Sequence, residues 1–127
     1  MITADTIKNS PNDWVFVFGD NMEHRGLGGQ AAVARPFVDS GKAVGLPTKI
    51  GPRKGAFFSG LAAEWFSVKV VFARLWELAL EGKYIVFFPG IGEGYANLAE
   101  ECPAMLYYIK KEISRLCDAK KATVWRD

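Results

Sequence analysis

The sequence predicts an α/β fold, a three-layer α/β/α sandwich around a mixed, largely parallel sheet, with residues 1–127 forming one domain. Three observations predict it. Short apolar runs at 14–18, 43–48, 84–88 and 122–125 alternate with helical patterns, as in strand–helix–strand units. Two of those runs end in glycine clusters, where strands hand over to loops. From Glu64 to Leu80, apolar side chains recur at three- and four-residue steps, the period of an amphipathic helix.

Each element has its own signal. The turn cluster Asn9-Ser10-Pro11-Asn12-Asp13 precedes the first strand, residues 14–18. Gly28 or Gly29 opens a first helix expected to run to about Asp39, with Pro36 placed to kink or end it. Ser40-Gly41-Lys42 breaks the chain before a second strand at 43–48, which closes on Pro47. Residues 49–55, with three basic side chains and Gly51-Pro52, read as a mobile loop, and 56–59 as a short strand or an apolar plug. In the helix at 64–80, Trp65, Phe66, Phe72 and Trp76 are expected in the core, and Gly82 ends it. The run at 84–88 is the most apolar and reads as a central strand. A long helix over about 101–116 follows, with Pro103 in its first turn. Lys110, Lys111 and Arg115 face solvent, and 122–125 forms a last strand at an edge.

A chain of 127 residues suffices for one core and is short for two. Half the residues are hydrophobic, which argues against disorder. A net charge of +2 is too mild for binding duplex nucleic acid through its backbone, so a nucleic-acid partner is not expected. Cys102 and Cys117 lack metal-ligand spacing and there is one histidine, so neither a metal nor a cofactor is expected. The N-terminus has no secretory pattern, and no run approaches the ~20 apolar residues of a membrane span. A soluble, cytoplasmic protein follows as the expectation.

The first glycine cluster carries the functional reading. Gly26, Gly28 and Gly29 stand between a strand and a helix, where free backbone N–H groups suit a phosphate. Their spacing is neither that of the dinucleotide fingerprint nor that of a Walker A loop. Asp20 and Asn21 lie where a strand delivers side chains to a crevice. Asp20 is read equally as an acceptor for a ribose hydroxyl or amine and as the closure of an Asx turn, whereas Asn21 is read as a ligand contact. Gln30 belongs to the same stretch. Arg25 is either a phosphate clamp or a solvated side chain, and His24 serves as a general base only if it reaches the substrate.

In the second cluster, Gly90, Gly92 and Gly94 alternate with Ile91, Glu93 and Tyr95, a pattern that turns N–H groups inward as an anion nest. Ile91 anchors that loop, and Tyr95 covers either a ring of the ligand or the core. Lys49, after the second strand, is a partner for a phosphate or for Glu93. Arg53 and Lys54 face water or fold over the ligand.

These segments resemble the macro domain, the ADP-ribose-binding α/β fold. The resemblance puts Asn21 at the asparagine that contacts the distal ribose and Gly26-Leu27-Gly28-Gly29 at the glycine run. Pro89-Gly90-Ile91-Gly92-Glu93-Gly94-Tyr95 then stands at the diphosphate loop with its aromatic. Phe18-Gly19-Asp20-Asn21, Gly28-Gly29-Gln30-Ala31, Gly45-Leu46-Pro47-Thr48-Lys49 and Gly92-Glu93-Gly94-Tyr95-Ala96-Asn97-Leu98 are closer still to small macro-like proteins of phages and bacteria. The departures are specific. Asp5 is a loose match for the adenine-binding aspartate. Gln30-Ala31 stands where many de-ADP-ribosylating members carry an acidic residue. Glu93 replaces a small polar residue of the diphosphate loop, where an inward carboxylate would repel phosphate, so it either points outward or meets an amine, a ribose hydroxyl or a base edge.

The leading functional expectation is a module that binds ADP-ribose or a related nucleotide metabolite. The contacts would be Asn21, Gly26, Gly28, Gly29, Gln30, Lys49, Gly90, Ile91, Gly92, Gly94 and Tyr95. One alternative is a hydrolase of ADP-ribosyl or phosphate-ester linkages in which Asp20, His24 or Glu93 activates water. Another is an RNA- or protein-binding adaptor that has lost the small ligand.

Overall fold

The sheet is built around β1 (Trp14–Asn21), whose Val15, Phe16, Val17 and Phe18 are all buried, as a strand covered on both faces requires. The structure, a computed structural model, describes all 127 residues. β2 (Ala43–Lys49) pairs with one side of β1 and β3 (Tyr84–Phe87) with the other. β4 (Ala122–Val124) completes the order β2-β1-β3-β4. All pairings are parallel, so the sheet has no antiparallel strand.

Five α-helices complete the chain: α1 (Ala4–Lys8), α2 (Ala31–Ala34), α3 (Ala62–Leu80), α4 (Leu98–Glu101) and α5 (Pro103–Asp118). α3 and α5 pack together on one face of the sheet, with α1 and α2 on the other, giving the three layers. The core joins them. Phe16, Phe18, Phe58, Phe72 and Phe87 are each at most 1% exposed, and burying a side chain of that size contributes about 1.5–3 kcal/mol. No helix is long and apolar enough to cross a membrane.

Several boundaries differ from those expected. α2 is one turn long and passes into a 3-10 turn, Arg35–Phe37, because Pro36 cannot continue the hydrogen-bond ladder. The helix expected near 101–116 is α5, with Pro103 in its first turn, and the lead-in before it forms the separate single turn α4, parted from α5 at Cys102 (φ −154°). β1 extends to Asn21, so Asp20 and Asn21 belong to the strand and not to the turn after it. Phe58 is a buried plug, while Phe57 makes a single antiparallel bridge with Lys49. Phe66 is 70% exposed on the outer side of α3, contrary to the expected core position. α1 has no counterpart in the sequence reading; Thr3 and Thr6 cap it reciprocally.

The N-terminus of α3 is held by its own buried glutamate. Glu64 Oε1 accepts the backbone N–H groups of Ser59, Gly60 and Leu61 at 2.8, 2.7 and 3.0 Å. Leu61 is the helix N-cap and Ser59 and Gly60 precede it, so one carboxylate gathers the cap amide and the two amides that lead into it. The closure ties α3 to the segment that descends from β2.

Candidate functional site

The topology itself opens a crevice. β1 leads to α2 on one face of the sheet, and its neighbour β3 leads to α4 and α5, with α5 packed on the other face. Where adjacent parallel strands send their connections to opposite faces, the loops part beyond the strand carboxyl ends. β3 ends at Phe87, opposite Val17, whereas β1 runs on to Asn21. The last residues of β1 therefore have a strand beside them on the β2 side alone. A cleft of about 590 Å³ fills the open side, within the range of small-molecule sites. Its walls are the first glycine loop (residues 22–30), the second (88–97), and the segment after β2.

Both predicted glycine clusters thus meet in one place. Gly26, Gly28, Gly29 and Gln30 line one wall, and Gly90, Ile91, Gly92, Gly94 and Tyr95 the other. Asp20, Asn21, Lys49 and Glu93 also line it. His24 does not: its side chain is 62% exposed and outside the cleft, which removes it as a group that touches a cleft ligand.

Gln30 joins the two loops directly. Its Oε1 accepts Gly19 N–H at 2.8 Å and its Nε2 donates to Pro89 C=O at 2.7 Å. It fixes the position of the two walls relative to each other. Gln30→Ala is expected to cost about 1–3 kcal/mol, since it strands a strand-end N–H and a loop carbonyl. Ligand affinity should fall with it. Chemical denaturation and calorimetry on the same variant would check both.

Asp20 is the centre of a second network. Its carboxylate is 2% exposed and accepts from Arg35 at 2.5 and 3.3 Å, with His24 Nδ1 at 3.2 Å. Arg35 Nε donates to Gly26 C=O at 2.8 Å, and the guanidinium lies 5.6 Å from the centroid of the Phe18 ring. With both oxygens engaged, Asp20 is the counter-ion of Arg35 and not a free base for water. Gly45 makes room for it: a Cβ there would come within 2.3 Å of Asp20 Oδ2. Thr48 Oγ1 donates to Asp20 C=O across an irregularity in the β1–β2 register.

Asn21 was expected to contact ligand, yet its side chain closes the loop. Its Oδ1 accepts Glu23 N–H at 3.0 Å and its Nδ2 donates to Arg25 C=O at 2.8 Å. One N–H and one lone pair remain for a ligand. Glu93 is exposed, with its carboxylate folded back over Gly90 and no ion pair to Lys49. Tyr95 is 77% exposed at the mouth, a ring without a partner in the core.

The backbone carries the clearest signal. The N–H groups of residues 25–30 donate to no protein acceptor, and neither do those of Gly90, Ile91, Gly92 and Gly94. Ile91 is 7% exposed, where an unpaired amide is costly. Gly29, Gly90, Gly92 and Gly94 have φ between +56° and +89°, which explains them as backbone requirements. Gly28 is different: its φ is ordinary, and a Cβ would meet nothing within 4 Å. Neither conformation nor packing within the protein calls for glycine at that position.

The third wall is a strap, residues 50–56, closed by Ile50 N–H to Ala56 C=O at 2.9 Å. Pro52 lies so close to Gly26 that a Cβ on the glycine would come within 2.9 Å of the proline Cβ. Glu23 accepts from Arg53 of the strap at 2.6 Å and from Arg25 of the first loop at 2.8 Å. Arg53 and then Arg25 hold the Glu23 carboxyl below its ordinary value of 4.5, and Glu23 in turn raises Arg53. A carboxylate shifted in that direction keeps its partners at neutral pH and releases them as pH falls below 4.5. Glu23 is therefore charged near neutrality and can pair with both arginines.

Residues 1–112 match a family model described as a family of unknown function, DUF7831. The chain belongs to DUF7831. No curated protein and no solved structure matches this chain. The DUF7831 match runs into α5, so it spans both glycine loops, the strap and Arg35. Arg35 is the charged cleft residue that reading the sequence missed. Its only mark in the sequence is a single charge after Ala31-Ala32-Val33-Ala34, a small apolar turn.

Proposed function

We propose that this chain binds a phosphate-bearing nucleotide of the ADP-ribose type, with the phosphate held between the two glycine loops. One observation carries the reading: two sets of backbone N–H groups without protein acceptors line opposite walls of one cleft. Donors of this kind form anion nests and need no side-chain charge. Gly28 adds support, because open space above a glycine of ordinary conformation lets a ligand approach the backbone. Tyr95 at the mouth offers a face for a ring. The resemblance to the macro domain, carried by the same loops, supports ADP-ribose as the first ligand to try.

Binding is favoured over hydrolysis on the state of the acid–base groups. Asp20 is engaged by Arg35, His24 lies outside the cleft, and Glu93 is turned over its own loop. Binding is favoured over an adaptor role because the cleft is open and of ligand size.

The test is a melting curve with ADP-ribose, adenosine monophosphate, ribose 5-phosphate and a short single-stranded RNA. At a hundredfold excess over Kd, mass action adds about 2.7 kcal/mol of stability, a rise of roughly 10 °C for a chain of this size. ADP-ribose is expected to produce it. No shift with any nucleotide, alongside RNA binding that weakens steeply with salt, would overturn the proposal in favour of the adaptor.

A further inference from the structure

We infer that the ligand carries a second anionic group, a phosphate ester held by Lys49 and Lys54 on the wall opposite the second glycine loop; this rests on the nucleotide reading above. The arginines around the cleft are each engaged by a carboxylate: Arg35 by Asp20, and both Arg25 and Arg53 by Glu23. Lys49 and Lys54 line the same cleft and take part in no ion pair. Lys49 is half-buried at the last position of β2. Lys54 belongs to the strap, which the Glu23–Arg53 pair and the Pro52–Gly26 contact hold against the first loop. The latch thus keeps Lys54, itself exposed, at the edge of the cleft.

Position separates these lysines from the amide nest. β2 and β3 flank β1 on opposite sides, about 10 Å apart across the sheet, and β2 runs on to Lys49 opposite Asn21 while β3 stops opposite Val17. A phosphate seated on the amides of Gly90, Ile91 and Gly92 belongs to the β3 side of the cleft, and the two lysines belong to the β2 side. The free carboxylate Glu93 stands on the second loop and pairs with neither lysine. Two unneutralised ammonium groups on that side call for a separate acceptor on the ligand.

The experiment is calorimetry on the full chain with three probes. These are ADP-ribose, ADP-ribose with one further phosphate ester on the adenosine ribose, and ADP-ribose with one on the distal ribose. At least one probe with the further phosphate ester should bind the wild-type chain about tenfold more tightly than ADP-ribose, a gain typical of one or two charge-assisted hydrogen bonds. In the Lys49→Ala, Lys54→Ala double variant the ratio of those affinities should fall to near one. Equal affinities for all three probes, or a ratio that survives in the double variant, would overturn this inference and leave nucleotide binding standing. If none of the probes binds, the nucleotide reading itself fails, and the second anionic position falls with it.

Discussion

Arg35→Ala is expected to destabilise the protein by about 3–5 kcal/mol, because it leaves the Asp20 carboxylate buried without its counter-ion. Asp20 is 2% exposed and Arg35 19%, so solvent replaces little of what is lost. The same arginine ties Gly26 C=O, so the first glycine loop should lose its course and ligand binding with it. Replacing both partners separates the causes. In Asp20→Asn with Arg35→Met, no charge is left stranded, so most of the stability should return while the loop remains loose. Urea unfolding of the single and double variants would measure this. A loss below about 1 kcal/mol for Arg35→Ala would mean that the pair is not a structural unit.

The second large effect is on binding. Gly28→Val is expected to reduce nucleotide affinity at least a hundredfold, about 2.7 kcal/mol, while changing stability by no more than about 1 kcal/mol. Open space surrounds Gly28 and its φ is one that valine adopts, so the fold has little reason to object. A ligand phosphate resting on the loop amides would meet the new side chain. The neighbouring position is a poorer test, since at Gly29 (φ +56°) a valine would strain the backbone and mix the two effects. Calorimetry and urea unfolding on one preparation of Gly28→Val would check both halves. Undiminished affinity would remove the first loop from the phosphate site.

How much of this was legible in the sequence depends on the range of the forces involved. Val15–Phe18 and Ile85–Phe87 announce buried strands because burial on both faces demands continuous apolar runs. The glycine loops are legible for a local reason: positive φ at Gly29, Gly90, Gly92 and Gly94 restricts residue choice wherever the loop goes. That the loops face each other is not local. It follows from strand order, which the sequence predicted as largely parallel without assigning neighbours. The roles of polar side chains were the least legible. Asn21 closes its own turn, Gln30 reaches across to Pro89 at a separation of 59 residues, and Asp20 finds Arg35 beyond the loop. Each can make its bonds to ligand or to protein, and only tertiary position chooses. Phe66 illustrates the same limit, because an aromatic on an amphipathic helix reads as core whichever flank it occupies.

The most direct measurement is a nitrogen–proton correlation spectrum of the labelled protein, followed as ADP-ribose is added. The account predicts that the amides of Gly28 and Gly29 move together with those of Gly90, Ile91 and Gly92, along one saturation curve. Shifts confined to one loop, or amides of both loops that stay still while ligand binds elsewhere, would contradict it.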